Sequence, residues 1–453
     1  MCLLFCFTAS NLVTSVNTMQ GMYAYTYDAN GNITSIAKNG TVLESYTYDG
    51  LNQLKTVTKG SDTYEYTYDT CGNILSVKLN GSIVKTYGYG DTNWRDKLTS
   101  YNGQTITYDG IGNPLTYRDG MSFTWKNGRA LESFSNSSYN ILYKYNADGI
   151  RVEKHITNKG TGATELHYYD YNGTMLVCER WGDNTVWYLY DESGSPVGLT
   201  YNGTEYYYLK NLQGDLTGIA NANGNIVTEY TYDVWGKVLS VTGSMADTIG
   251  EINPIRYRGY YYDTETGLYY VSSRYYDPEV GRFINADGLV STGQGILGNN
   301  MFAYCLINPV NYEDPDGEMA AAAGALAWGV AAGGANAWNP AGWIILGATA
   351  IVAIGILVIP WDSVGQSISN GWNKVKSSAR SASISRSISK AVSKAKTKIR
   401  NEKSRYDYWI AAYVEYDDGR GAYIPTTPLS YTRAISYVRG GGSVFADSRN
   451  NAY

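Results

Sequence analysis

Histidine is nearly missing from this chain. His155 and His167 are the only two in 453 residues, so the C-terminal third holds no histidine-based metal or catalytic site. Cysteine is sparse as well. Cys2, Cys6, Cys71, Cys178 and Cys305 are odd in number and show no CxxC spacing, which argues against a disulfide framework or a zinc site. Excess positive charge is also lacking. A net charge of -5 gives no global attraction to nucleic acid, although a local nucleic-acid contact stays open. No cofactor motif is present, and no cofactor is expected. The opening MCLLFCFTAS is apolar but has no basic stretch before it, so it reads poorly as a signal peptide. A buried strand from a longer repeat array is the alternative.

What the chain has in abundance is tyrosine, 45 residues, and glycine, 50 residues. Tyrosine suits a pleated, half-exposed surface and glycine suits tight turns. The pair predicts a mainly β protein with many short strands.

The sequence repeats itself. YAYTYDANGNITSI from Tyr23, ESYTYDGLNQLKTV from Glu44 and YEYTYDTCGNILSV from Tyr64 are variants of one unit. QTITYDGIGNPLTY from Gln104, YKYNADGIRVEKH from Tyr143 and TEYTYDVWGKVLSV from Thr228 extend the series. The leading aspartates Asp28, Asp49 and Asp69 recur about every 20 residues, at the short end of repeat periods. Y-x-Y-x-Y-D alternates with period two, so Tyr25 and Tyr27 share a face. Asp28 can bond the backbone ahead of it, and Gly31 can take a positive φ. Each unit is therefore a β-hairpin. Because one hairpin is marginal alone, neighbours must complete its core.

These units resemble the YD repeats of the RHS proteins, the insecticidal toxin-complex C subunits and the teneurins, from Tyr23 to Gly317. The resemblance implies an antiparallel hairpin strip spiralling into a hollow shell that encloses another part of the same chain. The denser block NPIRYRGYYYDTETGLYYVSSRYYDPEVGRFINADGL (253–289), followed by NNMFAYCLINPVNYEDPDG (299–317), resembles the RHS-repeat-associated core domain. Its motifs R-Y-x-G-x-Y-Y-D, G-L-Y-Y, R-Y-Y-D-P-x-x-G-R-F, N-P and D-P-x-G come in the family's order. Such a domain closes one end of the shell, and in studied members it cuts the chain just after D-P-x-G by an aspartyl-protease-like reaction. Carried over, the arginine is Arg274 and the carboxylates are Asp287 and Asp314, with the cut near Gly317, Glu318 and Met319. Two carboxylates that share a proton can act as base and acid on a peptide, and a guanidinium can orient one of them. Two positions depart from the pattern: Glu318 stands where an apolar residue is usual, and Asp287-Gly288 where Asp-Pro is usual. The plainer alternative is that Asp314-Pro315-Asp316-Gly317 is a turn and Asp287 caps another.

Residues past Gly317 read as cargo. Met319 to Ala337 is rich in Ala and Gly, and 341–359 carries no charge over nearly a bilayer-spanning length. It reads as a membrane-inserting segment, or as a buried core helix. Residues 377–405 are basic and Ser-rich. Ile384, Ile388 and Val392 recur every four residues, as on an amphipathic helix, and a solvated linker is the alternative. In 406–453 a hairpin around Asp417-Asp418-Gly419, a helix capped by Ser430 and a strand SVFADS resemble the opening of small bacterial toxin domains. Glu415, Asp417, Asp418 and Asp447 could ligate a metal in a nuclease, but turn and surface roles are simpler, and no metal site is assigned.

The organisation expected is an unassigned lead (1–22), YD repeats (23–250), an RHS core domain (251–317), an Ala/Gly-rich and apolar membrane segment (318–360), a basic linker (361–405) and a short α+β effector module (406–453). The function expected is that of the C-terminal part of a bacterial RHS polymorphic toxin, secreted or held at the cell surface. Its partners would be an immunity protein and a target-cell membrane. The rival is an uncut surface protein whose tyrosine rows bind carbohydrate or wall polymer.

Overall fold

The computed structural model describes residues 4–7, 12–192, 194–318 and 320–322. The chain divides into two units, Met1–Ala335 and Asn336–Tyr453. The second unit lies wholly outside the described residues. So do the uncharged tract 341–359, the basic stretch, the end module with Glu415, Asp417, Asp418 and Asp447, and Met319. Among the described residues no helix is long and apolar enough to cross a membrane.

The hairpins expected from the repeats form two long antiparallel sheets. The first has 11 strands, from Leu4–Phe7 to Gln104–Thr105; the second has 14, from Thr107–Tyr108 to Val238–Thr242. In both, spatial order follows chain order, so every neighbour in space is a neighbour in sequence. The ladder includes Val13–Thr18 and Leu4–Phe7, upstream of the first legible repeat.

Two turn chemistries alternate along the ladder. At one end sit Asn-Gly pairs. Asn39 and Gly40 have φ of 50° and 83°, and Asn202 and Gly203 have 46° and 85°. Positive φ at both central residues is the two-residue turn whose twist matches paired strands. At the other end, Asp28 Oδ1 accepts hydrogen bonds from the backbone of Asn30 and Asn32, both 2.9 Å, and Gly31 sits at φ 85°. Asp49, Asp69 and Asp233 repeat this arrangement, and Asn146 substitutes for the aspartate in the Tyr143 unit. The carboxylate thus supplies the turn's missing acceptor.

The tyrosines divide the work. The middle one of each Y-x-Y-x-Y, such as Tyr25, Tyr46 or Tyr66, is buried in the core. The last one sends its hydroxyl back to a backbone carbonyl at the start of the preceding return strand. Tyr27 reaches Val13 O at 2.6 Å, Tyr48 reaches Ile33 O at 2.7 Å and Tyr190 reaches Leu176 O at 2.6 Å. Phenylalanine cannot make this bond, which is why the chain uses tyrosine so freely. Facing away from the buried rings, threonine and serine hydroxyls pair across strands, as Thr47 with Thr56 at 2.6 Å and Thr231 with Ser240 at 2.6 Å.

Residues 253–318 form a plug against these sheets. Its four-stranded sheet, Tyr261–Asp263, Leu268–Val271, Arg274–Asp277 and Arg282–Phe283, is almost entirely buried. Tyr257, Tyr269, Tyr276 and Tyr304 share one core with Tyr25, Tyr46 and Tyr66 of the first sheet and Phe123 and Tyr143 of the second. Charged groups cross the same contact. Arg118 makes a two-point bond to Asp277, at 2.7 and 2.9 Å, and Asp263 takes both Arg151 and Lys154. A short strand, Tyr312–Glu313, pairs with Ala321–Ala322, so the chain doubles back across the D-P-x-G turn.

Changing Tyr190 to Phe removes one hydroxyl and leaves the Leu176 carbonyl without its donor. The expected cost is about 1 kcal/mol, read as a lower urea midpoint at unchanged slope. An unchanged midpoint would show that these bonds do not hold the ladder together.

Candidate functional site: a guanidinium between two carboxylates

Arg274 opens the third strand of the plug. The strand before it, Leu268–Val271, turns through Ser272 and Ser273 and returns with Val271 opposite Arg274. Ser272 takes a φ of 46° to close that two-residue turn. The turn fixes where the guanidinium starts, and burial fixes where it points. Arg274 is only 3% exposed, and its guanidinium lies over the Phe283 ring, 3.5 Å from the centroid.

The structure brings all three expected catalytic side chains together. Arg274 Nη2 lies 3.0 Å from Asp287 Oδ2 and 3.2 Å from Asp314 Oδ2. The two carboxylates thus share one nitrogen as partner. Arg274 Nη1 donates to Met301 O at 3.1 Å, and Nε donates to Gly317 O. Every face of the guanidinium is therefore engaged.

Each carboxylate also serves its own loop. Asp287 Oδ1 accepts from Leu289 N at 2.8 Å, the turn-capping role its sequence suggested. Its backbone N–H donates to Met301 O at 2.8 Å, which sets the position of the side chain. Asp314 Oδ1 accepts from Gly317 N at 3.0 Å and so closes the D-P-x-G turn. One oxygen of each carboxylate caps its own turn while the other faces Arg274.

Burial pushes the Asp314 carboxyl up to about 6. Arg274 pulls it down less strongly, and Asp316 and Asp287 raise it further. Burial also lowers the Arg274 guanidinium from its ordinary value, against the pull of Asp314 and Asp287. Next in the chain, burial pushes Glu313 up to about 7.

Gly317 is required by its geometry. It has φ of 80°, and a Cβ there would stand 2.6 Å from Ser273 Oγ and 2.6 Å from Val271 O. No side chain fits that position. Glu318 is exposed, and its N–H donates to Asp316 Oδ1 at 3.1 Å. The acid that departs from the apolar pattern therefore points to solvent and occupies no subsite among the described residues. Downstream, Ala320 O accepts from Gln294 Nε2 at 2.7 Å.

Several participants were not legible in the sequence. Tyr260 OH receives the Asp314 N–H at 3.0 Å, and Ser273 Oγ lies 2.8 Å from Asp316 O and 3.0 Å from Gly317 O. Ser273 is adjacent to Arg274 in sequence, which was a usable signal. The Met301 carbonyl left no trace, because a backbone acceptor has no residue identity. No group of three or more metal-ligating side chains occurs among the described residues.

Three comparisons bear on this architecture. The family model described as Teneurin YD-shell matches residues 41–296. The tRNA3(Ser)-specific nuclease WapA of Bacillus spizizenii is 34% identical over 286 residues, 62% of this chain and 11% of that protein. Toxin protein Tse5 of Pseudomonas aeruginosa is 47% identical over 64 residues, 14% of this chain and 5% of that protein. The chain thus spans about a tenth or less of the length of these relatives. Among solved structures, the crystal structure of TcdB2-TccC3-Cdc42 matches with a TM-score of 0.58 at 19% identity, covering 70% of this chain and 18% of that one. At that identity the likeness concerns the fold. With more than half of its residues inside the family model and the hairpin ladder in place, the chain belongs to the Teneurin YD-shell family of RHS/YD-repeat proteins.

Proposed function

We propose that this chain is part of a bacterial RHS polymorphic toxin, that its β shell encloses and delivers the residues past Gly317, and that the plug cuts the chain within Gly317–Met319. The observation that carries the reading is one buried guanidinium touching two carboxylates and the Gly317 carbonyl at once. Asp287 takes a proton from water, and the water oxygen attacks the peptide carbon. Asp314 gives its proton to the departing nitrogen. A carboxyl raised by burial, as Asp314 is, keeps a proton to give in such a division of labour. Arg274 holds both carboxylates in place and offsets their charge. The relatives named as toxins and nucleases support delivery of a toxic effector, secreted or displayed at the bacterial surface. An immunity protein and the target-cell membrane are its partners in this reading. Residues 341–359 are the membrane-inserting part, and no cofactor enters the chemistry.

A second reading has its own observation. A cavity of about 360 Å³ is lined by Tyr23, Tyr46 and Tyr230 together with Lys38, Glu44 and Glu229. Aromatic faces beside carboxylates suit carbohydrate, as an uncut surface protein binding glycan or wall polymer would require.

Intact mass of the purified chain, beside Asp287→Asn, separates the two. Two fragments parting at Gly317–Met319, with the variant whole, is the expected result. Two whole, folded chains would end the processing reading and favour glycan binding. The pH dependence gives a second check. The folded value of Asp314, about 6, lies above its ordinary 3.8, so the proton it donates is present below about 6 and lost as pH rises through that value. The cleavage rate should therefore fall above about pH 6, and a rate still rising there would remove Asp314 as the acid.

A further inference from the structure

The plug packs against one face of the 14-stranded sheet. Tyr169, Tyr188 and Tyr208 point to that face and share a core with Ile255 and Tyr261 of the plug. Their sequence neighbours Tyr168, Trp187 and Tyr207 stand on the opposite face, 43%, 45% and 43% exposed. Large rings gathered in water mark a contact surface. We infer that these three rings form the docking surface for a second copy of this chain. The inference does not depend on the self-cleavage reading.

The strand register puts the rings on one line. Trp187 lies in Asn184–Tyr190, the middle of five strands that run from Thr164–Asn172 to Thr204–Lys210. Thr185, two residues before it, is opposite Arg180, and Arg180 is opposite Tyr168. Leu189, two residues after it, is opposite Gly198, and Gly198 is opposite Tyr207. Tyr168 and Tyr207 are thus each displaced from Trp187 by two strands and two residues, in opposite directions. Each step is ~12 Å, from a strand spacing of ~4.8 Å and a rise of ~3.4 Å per residue. The rings form a diagonal stripe with its midpoint at Trp187. Directly opposite Trp187 on its two flanking strands are the small side chains of Cys178 and Thr200, so the large ring stands above its neighbours.

A stripe with this symmetry can meet its own copy. A contact between two identical surfaces requires that each be complementary to itself. A two-fold axis in the contact plane, crossing the stripe at Trp187, sets Trp187 against Trp187 and Tyr168 against Tyr207 of the second copy. The charges obey the same operation. Arg180 and Glu205 are exposed and lie on one side of the stripe, at matching distances along it from the midpoint. The axis therefore brings Arg180 beside Glu205 of the second copy. Arg180 has Asp170 at 2.9 Å within its own chain. Glu205 accepts the Tyr207 hydroxyl at 2.8 Å and has no cation beside it among the described residues. A second copy supplies that cation.

The size of the face sets the strength to expect. With its flanking residues the stripe covers ~30 Å by ~20 Å, about 600 Å² per copy, at the small end of specific interfaces. A central tryptophan between two tyrosines is the composition of an energetic anchor. The dimer is therefore weak and reversible, and Trp187 carries most of it.

The test is sedimentation of the full chain from about 1 µM to about 200 µM, a range that reveals weak association. A monomer that becomes a dimer with concentration is the expected result. Trp187→Glu should weaken the dimer roughly thirtyfold or more, as loss of a central aromatic anchor does. Arg180→Glu should weaken it less, and Arg180→Glu combined with Glu205→Arg should restore it. A chain that stays monomeric throughout overturns the inference, and its retention on an insoluble glycan would assign the stripe to carbohydrate. Association that survives Trp187→Glu also overturns it, because the contact then lies elsewhere in the chain. All three positions are exposed, so the variants should keep the native circular dichroism. Should Trp187→Glu fail to fold, the charge swap decides.

Discussion

A charge taken out of water must find its opposite, and in this chain it does so across the contact between plug and hairpins. Arg118 meets Asp277, Arg151 and Lys154 meet Asp263, and Arg258 meets Asp215. In each pair one partner belongs to the plug and the other to a strand or connecting turn of the 14-stranded ladder. Removing either partner strands a buried charge, at roughly 3–5 kcal/mol by the usual measure of such losses. The pairs add less to net stability than apolar packing does. Their effect is to permit one seating of the plug, since a shift of one residue along a strand separates every pair at once.

That single seating is what brings Arg274, Asp287 and Asp314 together. Asp287 and Asp314 come from loops far apart in sequence, and Arg274 comes from a strand edge. Nothing local brings them to one nitrogen. The rings of Tyr257, Tyr269, Tyr276 and Tyr304 fill the space around the plug's sheet, and Phe283 forms the floor beneath the guanidinium. The site is thus a by-product of close packing, with a buried carboxyl whose proton affinity is set mainly by the absence of water around it.

Much of the fold could be read in advance because the repeats are local. Y-x-Y-x-Y-D and the Asp-x-x-Gly turn carry their own geometry within 14 residues, and each strand pairs with the next in line. The three site residues could be read through motif resemblance, not through spacing. What escaped was of two kinds. The ladder divides at Ile106, between Gln104–Thr105 and Thr107–Tyr108, although the sequence there still follows the repeat. Ser273, Tyr260 and the Met301 carbonyl escaped because their roles depend on which loop lies opposite, a fact of tertiary packing. A carboxylate has two oxygens, and here Asp287 and Asp314 each give one to a turn and one to Arg274.

The pairing of Tyr312–Glu313 with Ala321–Ala322 has a consequence for any cut between them. Strand pairing does not depend on an unbroken backbone. With the peptide severed at the turn, the downstream piece keeps its ladder bonds, and Ala320 stays tethered by Gln294. Breaking the covalent link and freeing the downstream strand are then separate events with separate barriers. A nicked strand would stay seated, as a lock is turned before the door is opened.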